Sequence, residues 1–422
     1  MNPSDVSGSA GPPARPPARS PLATLRPHAV NVYLGPGVLA LRRGLHRLGR
    51  RGRRRVFAYL QIDDPYSVLL AQVLPDMAAS FDVDVVVRHV PAPDAAFTPD
   101  AEHLASWALR DAVELAAEWG LQAPSIDRPP TADEAAAAAS ALGPEPTLQA
   151  FADVGQRLWS GGFAGQDGTA PDLRAAQDER RRRGHYQGGM LWYEGEWFWG
   201  LDRLGLLQER LVAEGLPSPP PRPTFAPPIA PQEGSPPLEF FFSFRSPYSY
   251  LSVQPTIALA ADLGVPLRIR PVLPMVMRGL SVPKPKVLYL ARDCARLARQ
   301  QGQPFGRIAD PVGPGIANCL ALFCAAEGPE QQAALVRSAS RGIWSEALDA
   351  THAPHLRIIA ERAGLPWDPA VDTAPGLALA EANRLALLEL GLWGVPSYRY
   401  GAYTTWGQDR LPRLRRAIEG RG

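Results

Sequence analysis

Ser246 and Ser249 stand three residues apart in Arg245-Ser246-Pro247-Tyr248-Ser249, directly after the apolar run Leu238 to Phe244. A continuous apolar run bounded by proline and turn residues predicts a buried strand, and Pro247 suits the first position of a following helix. Two groups at this spacing, at the mouth of a helix, have the layout of a Cys-x-x-Cys redox pair, whose thiolate is stabilised by the N–H groups of the helix N-terminus. Hydroxyls cannot form a disulfide, so electron transfer through this pair is excluded. A hydroxyl can still donate a hydrogen bond to the thiolate of another molecule. The three cysteines, Cys294, Cys319 and Cys324, include no Cys-x-x-Cys pair. An odd count without such a pair argues against a disulfide framework and predicts reduced thiols, with Cys319 and Cys324 buried. His352 and His355 have zinc-like spacing, but no cysteine or carboxylate constellation accompanies them, so no metal is assigned.

The elements that must position Ser246 follow from periodicity. Tyr250, Leu251, Val253, Ile257, Leu259 and Ala260 form an apolar stripe on the helix opened by Pro247, with Pro255 expected to kink it. Leu267 to Val272 reads as the next strand, completing a right-handed βαβ unit. Residues 285–390 are helical in pattern, with breaks near Gly302 to Pro314, Gly328-Pro329 and Gly364 to Pro366. The chain then returns through Gly394-Val395-Pro396-Ser397, short strands at Tyr398 to Tyr400 and up to Thr405, and a closing helix after Trp406.

The same outline occurs earlier. Val56 to Ile62 leads into Asp63-Asp64-Pro65-Tyr66-Ser67, and Trp199-Gly200-Leu201-Asp202-Arg203-Leu204 mirrors Trp406-Gly407-Gln408-Asp409-Arg410-Leu411. Two anchors in the same order predict a duplicated fold. The first copy should have strands at Val56 to Ile62 and Asp82 to Val90 and helices near 97–119 and 133–160. A chain of 422 residues with 45% apolar content also exceeds one core. Ten prolines in 217–237 mark an extended linker. The expected organisation is therefore a disordered N-terminus over 1–28, a first domain over 29–216, the linker 217–237 and a second domain over 238–422.

A formal charge of +2 gives no global attraction to nucleic acid or acidic membranes. The arginine run from Arg50 to Arg55 lacks interleaved aromatics and reads as a solvated approach to the first strand. No signal-like or membrane-spanning apolar run is present, so a cytoplasmic protein with a small-molecule substrate is expected, with no nucleic-acid or membrane partner.

Taken together, the strand followed by Ser-Pro-Tyr-Ser-Tyr-Leu (Ser246 to Leu251), Lys286 before Tyr289-Leu290, Gly394-Val395-Pro396-Ser397 and Trp406 to Leu411 resemble the 2-hydroxychromene-2-carboxylate isomerases and kappa-class glutathione transferases, within the DsbA-like thioredoxin group. The resemblance covers the whole second half. It implies an α/β fold of tandem thioredoxin-like domains, each a small mixed sheet with a helical insertion, and a glutathione-dependent isomerase or transferase acting on an aromatic or conjugated electrophile. By the resemblance Ser246 hydrogen-bonds the glutathione sulfur, Val395 and a cis Pro396 offer a backbone edge to the tripeptide, Gln408 and Asp409 bind its γ-glutamyl end, and Lys286 faces the acidic cofactor or substrate. A DsbA-like thiol-disulfide oxidoreductase and a non-catalytic binding module are the alternatives.

The first copy departs at these positions. Asp64 stands for Ser246, Gly189 for Pro396 and Leu201 for Gln408, leaving Asp202 alone of the set. An anionic Asp64 would repel a thiolate, so this copy reads as a degenerate partner replacing the second subunit of a homodimer, in a monomer with an internal pseudo-dimer or in a homodimer. The other reading is an independent ligand site using Asp64, Tyr66, Trp192, Trp197 and Trp199. Replacement of Asp64 is expected to leave turnover nearly intact.

Overall fold

The computed structural model describes residues 21–217, 236–366 and 371–420. Its two halves are built on sheets of identical plan. In the first, β1 (Arg55–Leu60) runs parallel to β2 (Asp84–His89) and antiparallel to β3 (Met190–Tyr193), which pairs antiparallel with β4 (Glu196–Trp199). In the second, β5 (Leu238–Phe242) runs parallel to β6 (Leu267–Pro271) and antiparallel to β7 (Ser397–Tyr400), which pairs antiparallel with β8 (Tyr403–Trp406). The spatial orders are β2-β1-β3-β4 and β6-β5-β7-β8. Every residue of β5 is buried, as a central strand covered on both faces requires.

Among the described residues, two helices precede β1: α1 (Pro21–Leu34) and α2 (Pro36–Gly49). The rest of the first half contributes α3 (Pro65–Phe81), α4 (Ala101–Trp119), α5 (Ala132–Leu142), α6 (Leu148–Leu158), α7 (Arg174–Arg182) and α8 (Leu204–Ala213). The second contributes α9 (Pro247–Asp262), α10 (Lys284–Gln300), α11 (Pro314–Ala325), α12 (Gly328–Arg341), α13 (Ala353–Glu361), α14 (Ala374–Glu389) and the closing α15 (Leu411–Glu419). Helix α9 continues through Pro255, so the proline is accommodated without ending the helix. The stretch 133–160 divides into α5 and α6, each started by a threonine cap, Thr131 and Thr147.

The expected disorder does not extend through residue 28. Residues 1–20 lie outside the described set, but α1 begins at Pro21. Its support is tertiary: Arg292 of α10 bonds the Tyr33 hydroxyl, and Arg299 donates to the Leu34 carbonyl at 3.1 Å. Composition alone carries no sign of these long-range partners. Most of the proline segment 217–237 lies outside the described residues as well.

The halves dock reciprocally. Trp107 of α4, 7% exposed, packs with Phe241, Val272, Leu387 and Leu392 of the second half, while Tyr289 of α10 packs with Tyr59, Val90, Met190 and Trp197 of the first. Four residues beyond each aromatic lies a buried carboxylate. Asp111 takes Arg410 at 2.7 Å, and Asp293 takes Arg203 at 3.0 Å. Each arginine also holds the aspartate preceding the other: Arg410 pairs with Asp202 at 2.7 Å and Arg203 with Asp409 at 2.9 Å. Tyr66 and Tyr248 complete the two sets by donating to Asp111 and Asp293, both at 2.8 Å.

Candidate active site

Helix α9 starts where β5 ends, and Ser246 is its cap: Oγ accepts from the Ser249 amide at 3.1 Å. The same hydroxyl lies 3.5 Å from the Val395 carbonyl. Ser249 is fully buried, with its Oγ accepting from the Ser243 amide at 3.4 Å, so it ties the turn to the strand rather than facing a ligand.

Opposite Ser246, the Val395-Pro396 peptide bond is cis. Gly394 before it is required by packing, because a Cβ there would lie 2.1 Å from the Trp406 ring. Gly407 donates to the Pro396 carbonyl at 2.9 Å, which brings the Gln408-Asp409 turn beside the cis bond. Gln408 is 7% exposed, and neither polar atom of its amide has a partner. A buried amide without partners is costly unless something else satisfies it. Asp409 has a 30% exposed side chain and is held in two-point contact by Arg203, at 2.9 and 3.2 Å. Lys286 at the start of α10 donates to the Phe97 carbonyl at 2.9 Å and pairs with no carboxylate among the described residues; burial lowers its pKa. Ser246, Lys286, Val395, Pro396, Gln408 and Asp409 all line one cavity of about 1190 Å³. Six positions spread over 164 residues of sequence are thus brought to one wall system.

A family model described as a DSBA-like thioredoxin domain matches residues 237–419. Residues 237–419 are a DsbA-like thioredoxin domain. Over this part the chain is 29% identical to a 2-hydroxychromene-2-carboxylate isomerase of Sphingobium xenophagum, a match covering 42% of this chain and 95% of the relative. It is 27% identical to the isomerase of the same name from Pseudomonas putida, over 43% of this chain and 93% of the relative. Among solved structures, a 2-hydroxychromene-2-carboxylate isomerase is 24% identical, covering 43% of this chain and 94% of that chain, with a TM-score of 0.36.

The DsbA-like domain carries no thiol at its turn. Cys294 and Cys319 are buried and burial raises both, Cys319 to about 12. Cys324 is exposed, which corrects the expectation that it is buried: it sits at the last turn of α11, where the helix leaves the core.

The cavity is not confined to the DsbA-like domain. Its remaining wall comes from the first half, including Asp64, Tyr66, Trp159, Trp199 and the stacked pair Phe97 and Tyr186, whose rings lie 4.1 Å apart. Asp64 occupies the same strand-to-helix position as Ser246 and caps α3: its carboxylate accepts from the amides of Tyr66 and Ser67, at 3.3 and 3.1 Å, and from the Ser67 hydroxyl at 2.6 Å. Burial pushes this carboxyl up to about 6, against the lowering effect of those donors. Gly189, at φ 63°, takes the place of Pro396; a Cβ on it would come within 2.8 Å of Asp64 Oδ2. Of the three tryptophans considered with Asp64, only Trp199 lines the cavity. Trp197 packs in the junction between the halves, and Trp192 lies edge-on to Phe57 with the Arg183 guanidinium 4.0 Å from its ring centroid.

Sequence reasoning missed the arginines. Arg203 and Arg410 follow Asp202 and Asp409 in similar stretches of the two halves, so the shared Asp-Arg pair was visible, but not that each arginine crosses to the other half.

Proposed function

We propose that this protein is a glutathione-dependent isomerase or transferase acting on an aromatic or conjugated electrophile. The observation that carries the reading is the partnerless buried amide of Gln408, sharing one cavity with the Ser246-capped helix and the cis Val395-Pro396 turn. Glutathione carries two carboxylates and one ammonium. A helix N-terminus, a lysine free of carboxylate partners, an unsatisfied amide and an aspartate with an exposed edge form a complementary set. Bound there, glutathione would supply a sulfur nucleophile that adds reversibly to a conjugated double bond.

The protein's own groups have distinct tasks in this reading. The Ser246 hydroxyl donates toward the sulfur, and the N-terminus of α9 favours its anionic form. Gln408 and Asp409 hold the γ-glutamyl end, with Arg203 fixing the Asp409 rotamer. Lys286 offers its charge to a carboxylate of the cofactor or substrate. The aromatic wall excludes water and receives a planar electrophile. The first half serves as a degenerate copy that completes the cavity in place of a second subunit. Homology to proteins named isomerases supports enzymatic activity. Dithiol redox chemistry has no pair of sulfurs to run on at this turn.

The test is calorimetric titration of glutathione, followed by turnover of 2-hydroxychromene-2-carboxylate and of a simpler conjugated aromatic ketone. Binding abolished by Gln408→Leu and turnover lowered about 10²-fold by Ser246→Ala support the reading. Absence of glutathione binding to the intact protein would leave a non-catalytic module.

A further inference from the structure

The first half's turn is more than a filled-in relic, because it opens on the cavity that Ser246 faces. Asp64 is anchored from below by two amides and the Ser67 hydroxyl, with Oδ2 taking the two shorter bonds and Oδ1 only a 3.3 Å contact from Tyr66 N. Gly189 lies close to Oδ2, where any side chain would clash at 2.8 Å, so the backbone passes the carboxylate without a side chain against it. Tyr66, Trp159, Tyr186 and Trp199 line the same cavity and give it aromatic surface on the side of the first half. The Tyr289 hydroxyl, on a side chain 7% exposed and lining the same cavity, has no partner. The lining therefore offers polar capacity that the protein itself does not use.

We propose that Asp64 is the proton donor and acceptor for the electrophile in this cavity, acting from the first half while Ser246 holds the sulfur in the second. The proposal rests on the glutathione reading and adds a catalytic group to it. As the substrate's double bond is attacked, negative charge gathers on its conjugated carbonyl oxygen. The Asp64 carboxyl gives its proton to that oxygen and becomes carboxylate; when the double bond is restored in the turned geometry, the same proton returns to Asp64. One proton leaves and comes back, so no oxidant, reductant or third reactant is consumed.

The electrostatic surroundings suit a carboxyl that changes state near neutrality. Burial is the main cause of its elevation to about 6, and Asp63 in the same turn adds to it. Asp111 and Asp202, which also line the cavity, are both tied to Arg410. The loop before β3 presents Tyr186, Gln187 and Gly189, and the neighbouring His185 is held neutral, pushed down to about 3 by burial and by Arg180. None of these loop residues places a cation against Asp64.

Two variants test it. Asp64→Asn and Asp64→Ser both keep a capping side chain, so α3 should persist. Infrared difference titration of the intact protein should show a protonated carboxyl lost near pH 6 and absent from both variants. With glutathione and the conjugated aromatic ketone, both variants should bind glutathione with unchanged affinity but, in place of the intact turnover expected from the sequence, turn over on the order of 10²-fold more slowly. They should also lose the alkaline limb of kcat/KM that reflects deprotonation of Asp64. Unchanged turnover and pH profile in both variants, with glutathione still bound, would overturn the role of Asp64 alone. If the intact protein binds no glutathione, the site reading falls and the proton transfer falls with it.

Discussion

The hydroxyl of Ser246 serves the fold and the chemistry through different lone pairs and its one proton. As a cap it accepts from Ser249, which an alanine forfeits at a cost of about 1 kcal/mol. As a donor it would meet a reacting anion, where loss of one hydrogen bond typically costs about 10²-fold or more in rate. Ser246→Ala is therefore expected to melt within a few degrees of the parent, keep most of its glutathione affinity, and lose turnover about 10²-fold, read by calorimetry and a steady-state assay with the conjugated ketone. Thiolate absorbance in the complex should show a raised thiol pKa. The cysteines make an independent residue-scale prediction. Cys324 is exposed while Cys294 and Cys319 are buried and shifted upward, so a thiol reagent should titrate one sulfur in the native protein and three after denaturation. Insulin reduction should be absent at every pH, since the turn lacks a sulfur pair.

At the scale of elements, the site depends on how the turn before β7 meets the end of β8. Gly394 lets the Trp406 ring lie against the backbone, and the cis Val395-Pro396 bond then faces Ser246. In Gly394→Ala the new methyl would overlap the ring, so either Trp406 or the turn must shift. Overpacking of this kind costs about 1–3 kcal/mol. Thermal melting should fall accordingly, and glutathione affinity should drop further than in Ser246→Ala because Val395 and Gln408 move together. A glycine with open space around its Cβ position, Gly391, gives the matched control: it lies just beyond α14 at φ 68°, so Gly391→Asn tests only local backbone strain. That control should leave affinity unchanged.

Over the whole molecule, two crossed charge clusters hold the halves in register. Arg203 and Arg410 are almost fully buried, and each is satisfied by two carboxylates of the other half, one from a helix and one from a turn. Removing one member of a buried ionic set strands the others, typically at about 3–5 kcal/mol. Arg410→Met should cost this much in urea unfolding and loosen the docking of Trp107. Acid provides the second probe. Burial alone would raise Asp111 and Asp293, but the facing arginines prevail and hold both below the ordinary 3.8. Their contribution to stability is complete above that value and disappears as pH falls through the lower folded-state value. Asp64 acts in the opposite sense, contributing stability below 3.8 that is lost as pH rises toward about 6. The urea midpoint of the parent should thus drop steeply below pH 4, and Arg410→Met should flatten that drop.

The strands and turns of the second half, and the first two strands and the opening turn of the first, were legible in the sequence because each is a local pattern, whereas β3, β4 and the threonine caps that divide 133–160 into α5 and α6 were not foreseen. A central strand shows as an unbroken apolar run and a helix start as Ser-Pro or Asp-Pro. Those patterns sufficed to set Ser246 at a strand-to-helix turn and to align Asp64 with it, Gly189 with Pro396 and Leu201 with Gln408. What only the tertiary structure decided is that the two turns share a cavity. That outcome depends on pairings between residues about two hundred positions apart, such as Arg203 with Asp409 and Arg410 with Asp202, and on Trp107 and Tyr289 each filling the other half's surface. Such contacts leave no periodic trace, because burial of a charge is set by what docks against it and not by its neighbours in the chain. The same reason explains α1, whose support comes from α10, and Asp64, whose proton affinity is raised by enclosure within the folded protein.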